Sequence, residues 1–274
     1  MCRVLQVSSS GYYSWCRNPT NLHQKENQQL VEEIKKVHKQ SHQTYGSPRI
    51  YVELKAKGYQ CGENRVARLM HANKIKAKGK KKYVTTTDSK HDLPVAENII
   101  NKDFTAQAPN EKWVTDITYI WTKEGWLYLA VVLDLFSRRI IGWSMQPTLA
   151  KELAIAALQM ALRFRQPTAG LLHHSDRGSQ YASNAYQEML HDNKICCSMS
   201  RKGNCYDNAA MESFFASLKG ERVDHQIYAT RKQAKQDIFY YIEVWYNRKR
   251  RHSSLAYMSP EEYEQAWQQL LLVA

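Results

Sequence analysis

Three acidic residues, distant from one another in the sequence, have the chemistry of a divalent-metal site. Asp116 lies within a β-branched and aromatic stretch, Asp176 ends a short apolar stretch, and Glu212 lies on a stretch with helical apolar periodicity. Converging carboxylates repel one another, which is costly unless a cation neutralises them. All-oxygen ligands favour magnesium or manganese over zinc. Two such ions about 4 Å apart can activate a hydroxyl and stabilise the leaving oxygen of a phosphodiester. These acids therefore predict two-metal chemistry.

The elements around the acids predict that they converge. From residue 111 the pattern predicts, in order, strands at 113–121, 127–136 and 140–146, a helix at 149–165, a strand at 170–176, a helix at 183–192, a strand at 195–199, and the helix of Glu212. This order is typical of an α/β protein with an RNase H-like mixed five-stranded sheet and flanking helices. Asp116 would lie on the central strand, Asp176 at the end of its neighbour, and Glu212 at the sheet's edge.

Two other acids compete for places in this site. Asp134 ends the second predicted strand before Ser-Arg-Arg, and we interpret it as an ion-pairing or capping acid. Asp207, or Asn208 beside it, suits the N-cap of the helix that carries Glu212. Lys219 follows Glu212 by seven residues, so the two share one helix face. Taken alone, that helix would be an ordinary amphipathic helix with a solvated polar side.

The charge balance indicates a polyanionic partner. The 274 residues include 39 Lys and Arg against 26 Asp and Glu, a net charge of +13. Nucleic acid is the usual partner of such a chain. The alternatives are a merely basic protein or one that binds an acidic membrane surface. We find no apolar run of about 18 residues and no apolar core of a signal peptide. The six cysteines form no C-x-x-C pair. We therefore expect a cytoplasmic protein with reduced thiols.

The N-terminal third predicts a small basic helical module. Helices are predicted at 22–41, from Pro48 to about residue 57, and from residue 63 to before residue 74, with residues 8–15 as a turn followed by an aromatic anchor. Two short helices joined by a Gly-containing turn are typical of a helix-turn-helix, and a three-helix bundle without groove contact remains an alternative. His38 and His42 could begin a zinc site, but a second ligand pair is missing. The lysine run at 74–82, including Lys80, Lys81 and Lys82, would contact phosphates.

The pattern divides the chain into four parts. These are the helical module at 1–82, a polar linker at 83–108, the catalytic core at 109–222 and a basic helical extension at 223–274. In the extension, a helix is predicted at 231–247 and another after Ser259, which would cap it, with Pro260 in its first turn. The intervening basic run supplies candidate DNA-backbone contacts, Arg248, Arg250 and Arg251. The alternative is a solvated helix C-terminus, where cations are favourable anyway.

Several motifs together resemble one known family. Thirty-five residues separate Asp176 from Glu212, and Asp116 lies sixty positions upstream of Asp176. Together these spacings resemble the D,D-35-E signature of retroviral integrases and insertion-element transposases. The segments 174–181 (HSDRGSQY), 203–209 (GNCYDNA), 246–255 (YNRKRRHSSL) and 259–263 (SPEEY) resemble the second-frame (OrfB) catalytic proteins of a large bacterial insertion-sequence group. So do 10–15 (SGYYSW), 45–50 (YGSPRI) and 65–70 (RVARLM). The resemblance covers essentially the whole chain.

The resemblance implies a metal-dependent DNA transposase. Asp116, Asp176 and Glu212 would be both catalytic residues and ligands of two Mg²⁺ or Mn²⁺ ions. The residues expected to hold phosphates are Lys219, Asn208, His174 and Arg201. The implied partners are the terminal inverted repeats, the target DNA and further copies of the chain in the DNA complex. Full transposases of this group carry a further N-terminal helix-turn-helix and leucine zipper made by frameshift fusion. Such heptads are missing here, so an upstream-frame DNA-binding partner is also implied.

Two alternatives to a transposase remain at this point. The first is a structure-selective nuclease with the same fold, such as a junction resolvase. The second is a DNA-binding regulator whose acids are only structural. Strand transfer distinguishes the first from a transposase, and magnesium-dependent cleavage distinguishes the second.

Overall fold

The computed structural model describes residues 1–17, 22–79, 96–201 and 208–273, which form two compact units, Met1–Lys78 and Gly79–Ala274. The expected phosphate contacts Lys80, Lys81 and Lys82 lie outside the described residues, as do Asp207 and the first half of the predicted linker.

The first unit consists of short helices, as predicted. They are α1 (Ser9–Arg17), α2 (Leu22–Gln40), α3 (Ser47–Ala56) and α4 (Glu63–Ala72). Pro48 lies in the first turn of α3, where its missing N–H costs nothing. Ile34, Ile50, Leu54 and Val66 are completely buried and form the core between α2, α3 and α4.

The expected turn with an aromatic anchor at 8–15 is wrong. The segment is helical from Ser9, because the Ser8 hydroxyl accepts the Gly11 N–H at 3.3 Å and caps the helix. Trp15 is 62% exposed and Tyr13 is 61% exposed, so neither is anchored in a core.

The second unit contains the predicted mixed sheet. Its strands are β1 (Lys112–Thr122), β2 (Gly125–Asp134), β3 (Ile140–Gln146), β4 (Leu172–Ser175) and β5 (Cys196–Met199). Their order is β3-β2-β1-β4-β5; β1 to β3 are antiparallel neighbours, and β4 runs parallel to β1 and β5. This arrangement confirms the RNase H-like expectation, with β1 in the centre.

Three helices build the core on the sheet. They are α5 (Lys151–Arg165), α6 (Ser179–Ala182) and α7 (Asn184–Asp192). Trp113, Leu153 and Leu158 are fully buried in this core. Gly142 lets β3 approach α5 closely, because a Cβ at this position would lie 2.3 Å from the Ala157 carbonyl oxygen.

The helix that carries Glu212 is α8 (Ala209–Glu221), and the C-terminal segment follows it within the same unit. It contains 3-10 turns at Val223–His225 and Ser253–Leu255, α9 (Arg231–Phe239), a π-helical turn (Tyr240–Tyr246) and α10 (Pro260–Val273). The helix predicted at 231–247 is therefore confirmed over almost its whole length, but it changes from an α-helix to a π-helix at Tyr240. The pattern could not distinguish an α-helix from the wider turn, because the buried Tyr241, Ile242, Trp245 and Tyr246 have spacings compatible with both.

The start of α10 confirms its predicted cap. The Ser259 N–H donates to Glu262 Oε2 at 2.8 Å, and the Glu262 N–H donates to Ser259 Oγ at 3.3 Å. Glu264, further along α10, is buried and accepts hydrogen bonds from Ser137 Oγ and Arg139. These bonds attach α10 to the loop between β2 and β3.

Part of the predicted linker packs on the sheet's edge. The Ile99 N–H donates to Ser198 Oγ at 2.9 Å, and the Met199 N–H donates to the Glu97 carbonyl at 3.3 Å. Ile100 is buried. These contacts place residues 97–100 along β5. Among the described helices, none is both long and apolar enough to cross a membrane.

Candidate active site

Asp116 and Asp176 occupy equivalent positions on adjacent parallel strands. The last register pair of β1 and β4 is Val114 with His174, and each acid follows its member of that pair by two residues. Asp116 Oδ1 accepts the Ile117 N–H at 2.7 Å, and Asp176 Oδ1 accepts the Gly178 N–H at 2.9 Å. The parallel register of β1 and β4 therefore places the two acids side by side, Asp116 within the central strand and Asp176 directly after the end of its neighbour, as the sequence predicts.

The turn after Asp176 depends on a glycine. A Cβ at Gly178 would lie 3.0 Å from Asp176 Oδ1, so a larger residue would crowd the carboxylate. The turn is also attached to the end of β5, because Arg177 Nε donates to the Ser200 carbonyl at 2.6 Å. The Ser200 N–H donates to the Ser175 carbonyl at 2.9 Å. Asp176 is thus held by backbone contacts on both sides.

Helix α8 runs beside β1. Near its start, Asn208 Nδ2 donates to the Thr115 carbonyl at 3.4 Å, next to Asp116. Near its end, Lys219 Nζ lies 5.5 Å from the centroid of the Tyr119 ring. Glu212 lies one turn after Asn208, with an exposed side chain. Asn208 occupies the predicted N-cap position, but its side chain bonds to β1 and not to the first turn of α8.

The charges of these residues act on one another. Burial, and then the charge of Asp176, raises the pKa of Asp116 well above its usual range, and Glu212 adds to this rise while Lys219 opposes it. The Glu212 side chain is exposed overall, but the partial burial of its carboxyl group raises its pKa. Burial lowers the pKa of Lys219, and the charge of Asp116 opposes this effect. Asp116 therefore lies in a field to which both other acids and Lys219 contribute.

The donor set suits a hard divalent cation. Carboxylate oxygens are the ligands that magnesium and manganese prefer, and a cation would relieve the repulsion that raises the pKa of Asp116. Within the ranges that the structure describes, no three His, Cys, Asp or Glu side chains are already placed around a common metal position. Glu212 is the exposed one of the three acids and lies on a helix, whereas Asp116 lies within a strand and Asp176 directly after one.

Tyr181 is a neighbour of the acids that the sequence did not reveal as such. Its hydroxyl lies 3.4 Å from Thr115 Oγ1, and the ring is buried in the core. Burial raises its pKa, and the charges of Asp116 and Asp176 raise it further. Tyr181 belongs to the 174–181 motif, but an aromatic residue five positions after an acid carries no signal of this proximity.

The expected phosphate contact of Asn208 is corrected, because this residue is 6% exposed and its side chain bonds to β1. Two further predicted DNA contacts also point into the protein. The His174 ring is completely buried, with Nδ1 2.9 Å from Ser198 Oγ and Nε2 3.2 Å from Ser200 Oγ. Arg250 is 5% exposed, and its Nη2 donates to Glu221 Oε1 at 2.6 Å. The expected phosphate contacts of His174 and Arg250 are corrected on these grounds: both side chains are turned inward and satisfied there.

The other predicted DNA contacts differ in exposure. Arg201 is exposed after β5. Arg248 is also exposed, with Nε 3.8 Å from a Glu261 carboxylate oxygen. Arg251 is partly buried and donates to the Tyr257 carbonyl at 3.1 Å. Contacts of these arginines with DNA stay predictions.

Asp134 has the structural role that the sequence suggested. Its carboxylate is completely buried and accepts the Asn110 N–H at 2.9 Å and the Phe136 N–H at 3.0 Å. Burial raises its pKa to about 6. Asp134 therefore stabilises the ends of β2 and of the segment before β1.

Comparisons with known proteins agree along the whole chain. Family models of an integrase core domain match residues 106–205 and 212–267, and the model of an HTH-like domain matches residues 25–83. The chain is 44% identical to the insertion element IS600 uncharacterized 31 kDa protein of Shigella sonnei, over 98% of this chain and 99% of that protein. It is 45% identical to transposase InsF for insertion sequence IS3A of Escherichia coli (strain K12), over 96% of this chain and 92% of that protein.

Among solved structures, a simian T-cell lymphotropic virus intasome in complex with PP2A regulatory subunit B56 gamma matches with a TM-score of 0.49 and 16% identity, over 84% of this chain and 74% of that chain. The family follows from the two relatives, whose identity extends over nearly the full length. By this measure the chain belongs to the insertion-sequence transposases of the DDE superfamily.

Proposed function

We propose that this chain cleaves phosphodiester bonds at the ends of an insertion element and transfers the freed strand to another DNA. The observation that carries the proposal is the register of β1 and β4, which aligns Asp116 with Asp176 while α8 brings Glu212 and Lys219 alongside. Family membership supplies the substrate class.

Asp116, Asp176 and Glu212 are the proposed ligands of two Mg²⁺ or Mn²⁺ ions. When bound, these ions would activate the attacking hydroxyl and stabilise the leaving oxygen. The backbone N–H groups of Ile117 and Gly178 each bond to one carboxylate oxygen, which orients the side chains of Asp116 and Asp176. Glu212, exposed on α8, completes the set once DNA and metal are present.

Lys219 is the proposed phosphate-positioning residue. Its ammonium lies over Tyr119 and within the electrostatic range of Asp116, on the side of β1 along which α8 runs. A cation there attracts the phosphate next to the scissile bond without itself taking part in proton transfer. Tyr181 is buried within the electrostatic range of Asp116 and Asp176, and its hydroxyl lies 3.4 Å from Thr115 Oγ1.

The proposed reaction has two chemical steps. Hydrolysis at an element end frees a 3′-hydroxyl. That hydroxyl attacks a second phosphodiester, on the same strand at the opposite end, which joins the two ends in a circular intermediate and releases the flanking strand with a 3′-hydroxyl. For insertion the two steps are repeated: hydrolysis at the joined ends frees new 3′-hydroxyls, which attack phosphodiesters of the target and displace 3′-hydroxyls of the target strands. Several copies of the chain in the DNA complex and an upstream-frame DNA-binding partner belong to the same proposal.

A strand-transfer assay with a pre-cleaved element end tests this function. Magnesium or manganese should support joining, whereas calcium should not, because its longer and looser coordination misplaces the nucleophile. A zinc-selective chelator should have no effect, because His38 Nε2 is within hydrogen-bonding distance of the Lys76 carbonyl oxygen, at 3.1 Å, and is not needed as a zinc ligand in the proposed reaction. Cleavage without joining would indicate a structure-selective nuclease. DNA binding with neither reaction, in the presence of the upstream partner, would indicate a regulator.

A further inference from the structure

We propose that one face of the β1–β2 hairpin binds unpaired DNA bases beside the cleavage site. This aromatic face consists of Tyr119, Trp121, Trp126 and Tyr128. The inference rests on the proposed function, because it assigns a further subsite for the DNA on which that function acts.

The strand register places the four rings on one side of the hairpin. Tyr119 lies directly opposite Tyr128, and Trp121 lies directly opposite Trp126. Opposite residues of an antiparallel pair share a face, as do residues two apart on one strand. The ring centroids of Trp121 and Trp126 are 4.8 Å apart, those of Tyr119 and Trp126 are 5.5 Å apart, and those of Tyr119 and Tyr128 are 6.4 Å apart. The four rings therefore form one continuous aromatic surface.

The outer part of this surface is open to solvent. Trp121 is 59% exposed and Trp126 is 44% exposed. Indole rings are large and are usually well buried, so two adjacent exposed rings leave π-faces available to a ligand.

The inner part of the surface is continuous with the candidate active site. Lys219 Nζ lies 5.5 Å from the centroid of Tyr119, and Tyr119 contacts Trp126. The same ammonium interacts electrostatically with Asp116. A strand whose phosphate is held by Lys219 would therefore have the aromatic face within reach of its neighbouring nucleotides.

Cations accompany the rings toward the end of the hairpin. Lys123 is exposed in the turn, and Arg231 Nε donates to the Trp126 carbonyl at 3.0 Å. Lys232, next in sequence, is exposed. The nearby acid is Glu124, which accepts the Arg231 N–H at 2.7 Å. Aromatic platforms flanked by cations are the combination that binds single-stranded nucleic acid, because bases stack while phosphates are attracted. A second copy of the chain, with its own net positive charge, is a less suitable occupant of this surface.

Cross-strand aromatic pairs also stabilise hairpins, and this is the competing explanation. The hairpin end has other supports, however. Thr122 Oγ1 donates to the Gly125 carbonyl at 2.7 Å, and the Lys123 N–H donates to the Tyr228 carbonyl at 3.0 Å. Stability alone would not require both indoles to remain exposed.

The test compares Trp121→Leu and Trp126→Leu with the full-length wild type. Leucine keeps an apolar side chain on the hairpin but cannot stack on a base. Phe164→Leu is the matched control, because Phe164 is 60% exposed on α5 and lies outside the aromatic face. Each protein is titrated, without divalent metal, with a DNA duplex and with the same duplex carrying an unpaired 3′ segment. Since no cleavage is required, failure of the proposed reaction would not affect the result.

The wild type should bind the partly unpaired DNA about tenfold more tightly than the duplex, which is the effect expected of roughly one stacked base. Each tryptophan variant should lose most of this preference, and Phe164→Leu should retain it. An equal preference in all four proteins would overturn the proposal, as would no preference in the wild type. If the variants fail to fold, photocrosslinking of wild-type protein to 5-iodouracil in the unpaired segment decides: crosslinks should map to Trp121 or Trp126, and their absence from the hairpin would overturn the proposal.

Discussion

The buried Arg250–Glu221 ion pair should contribute to stability and not to DNA affinity. Arg250 Nε lies 3.0 Å and 2.9 Å from the two Glu221 oxygens, and Nη2 lies 2.6 Å from Oε1. The two residues are 5% and 7% exposed. Tyr241 also donates to Glu221, at 3.0 Å, so several elements meet at this carboxylate. Glu221 is the last residue of α8, and the pair therefore fixes the end of the helix that carries Lys219.

Arg250→Met removes the cation and leaves the Glu221 carboxylate buried. Breaking a buried pair in this way costs about 3–5 kcal/mol. For a unit of this size, each kcal/mol lowers the Tm by about 2–4 °C. We therefore expect a fall of the order of 6–20 °C in thermal unfolding. A variant that also carries Glu221→Leu should recover much of the loss, because no uncompensated charge remains inside.

Arg248→Met is the control, because this arginine of the same basic run is exposed. Its free energy of unfolding should change by less than about 0.5 kcal/mol. The dependence of DNA affinity on salt should be unchanged in Arg250→Met when measured well below its Tm. If Arg250→Met kept the wild-type Tm and flattened that dependence, Arg250 would be a phosphate contact and the inward placement would be refuted.

Three further predictions concern single features. The pKa of Asp134 rises from about 4 in the unfolded chain to about 6 in the folded protein. Between these pH values the folded state keeps a proton that the unfolded state loses, so the free energy of unfolding should fall as pH rises. In urea unfolding at several pH values, Asp134→Asn should lack this part of the fall. Lys219→Ala should weaken productive binding of the element end and slow joining, whereas Lys219→Arg should keep part of the function. A lower Tm of Lys219→Ala, with no crosslink from position 219 to DNA near the cleavage site, would contradict the positioning role. Neutralising Lys80–Lys82 should flatten the salt dependence of binding to random DNA by about 0.9 per lost phosphate contact, and an unchanged slope would mean that these lysines do not contact phosphates.

The sequence predicted the parts of the site that follow from element order. Asp116 lies in a β-branched stretch and Asp176 ends an apolar one, and parallel pairing of their strands is enough to bring them together. The position of Lys219 beside β1 also follows from its two-turn separation from Glu212 on α8.

The sequence could not predict which polar side chains turn inward. Arg248 and Arg250 belong to one basic run, yet the first is exposed and the second is buried on Glu221. Both arginines follow the π-helical turn, whose geometry the apolar periodicity does not reveal. His174 likewise lies two residues before Asp176, and strand alternation alone would give both side chains the same face. Its ring is instead buried against Ser198, its register partner on β5.

The most direct test of the account is strand transfer by the isosteric variants Asp116→Asn, Asp176→Asn and Glu212→Gln, measured with a pre-cleaved end in magnesium. Each substitution removes a charged metal ligand with almost no change of shape, so each should abolish joining while DNA affinity stays close to that of the wild type. The Tm of Asp116→Asn in the absence of metal should rise, because the substitution removes a buried charge and its repulsion by Asp176, the two main causes of the raised pKa of Asp116. Full joining activity in any one variant would remove that residue from the catalytic site and contradict the central claim.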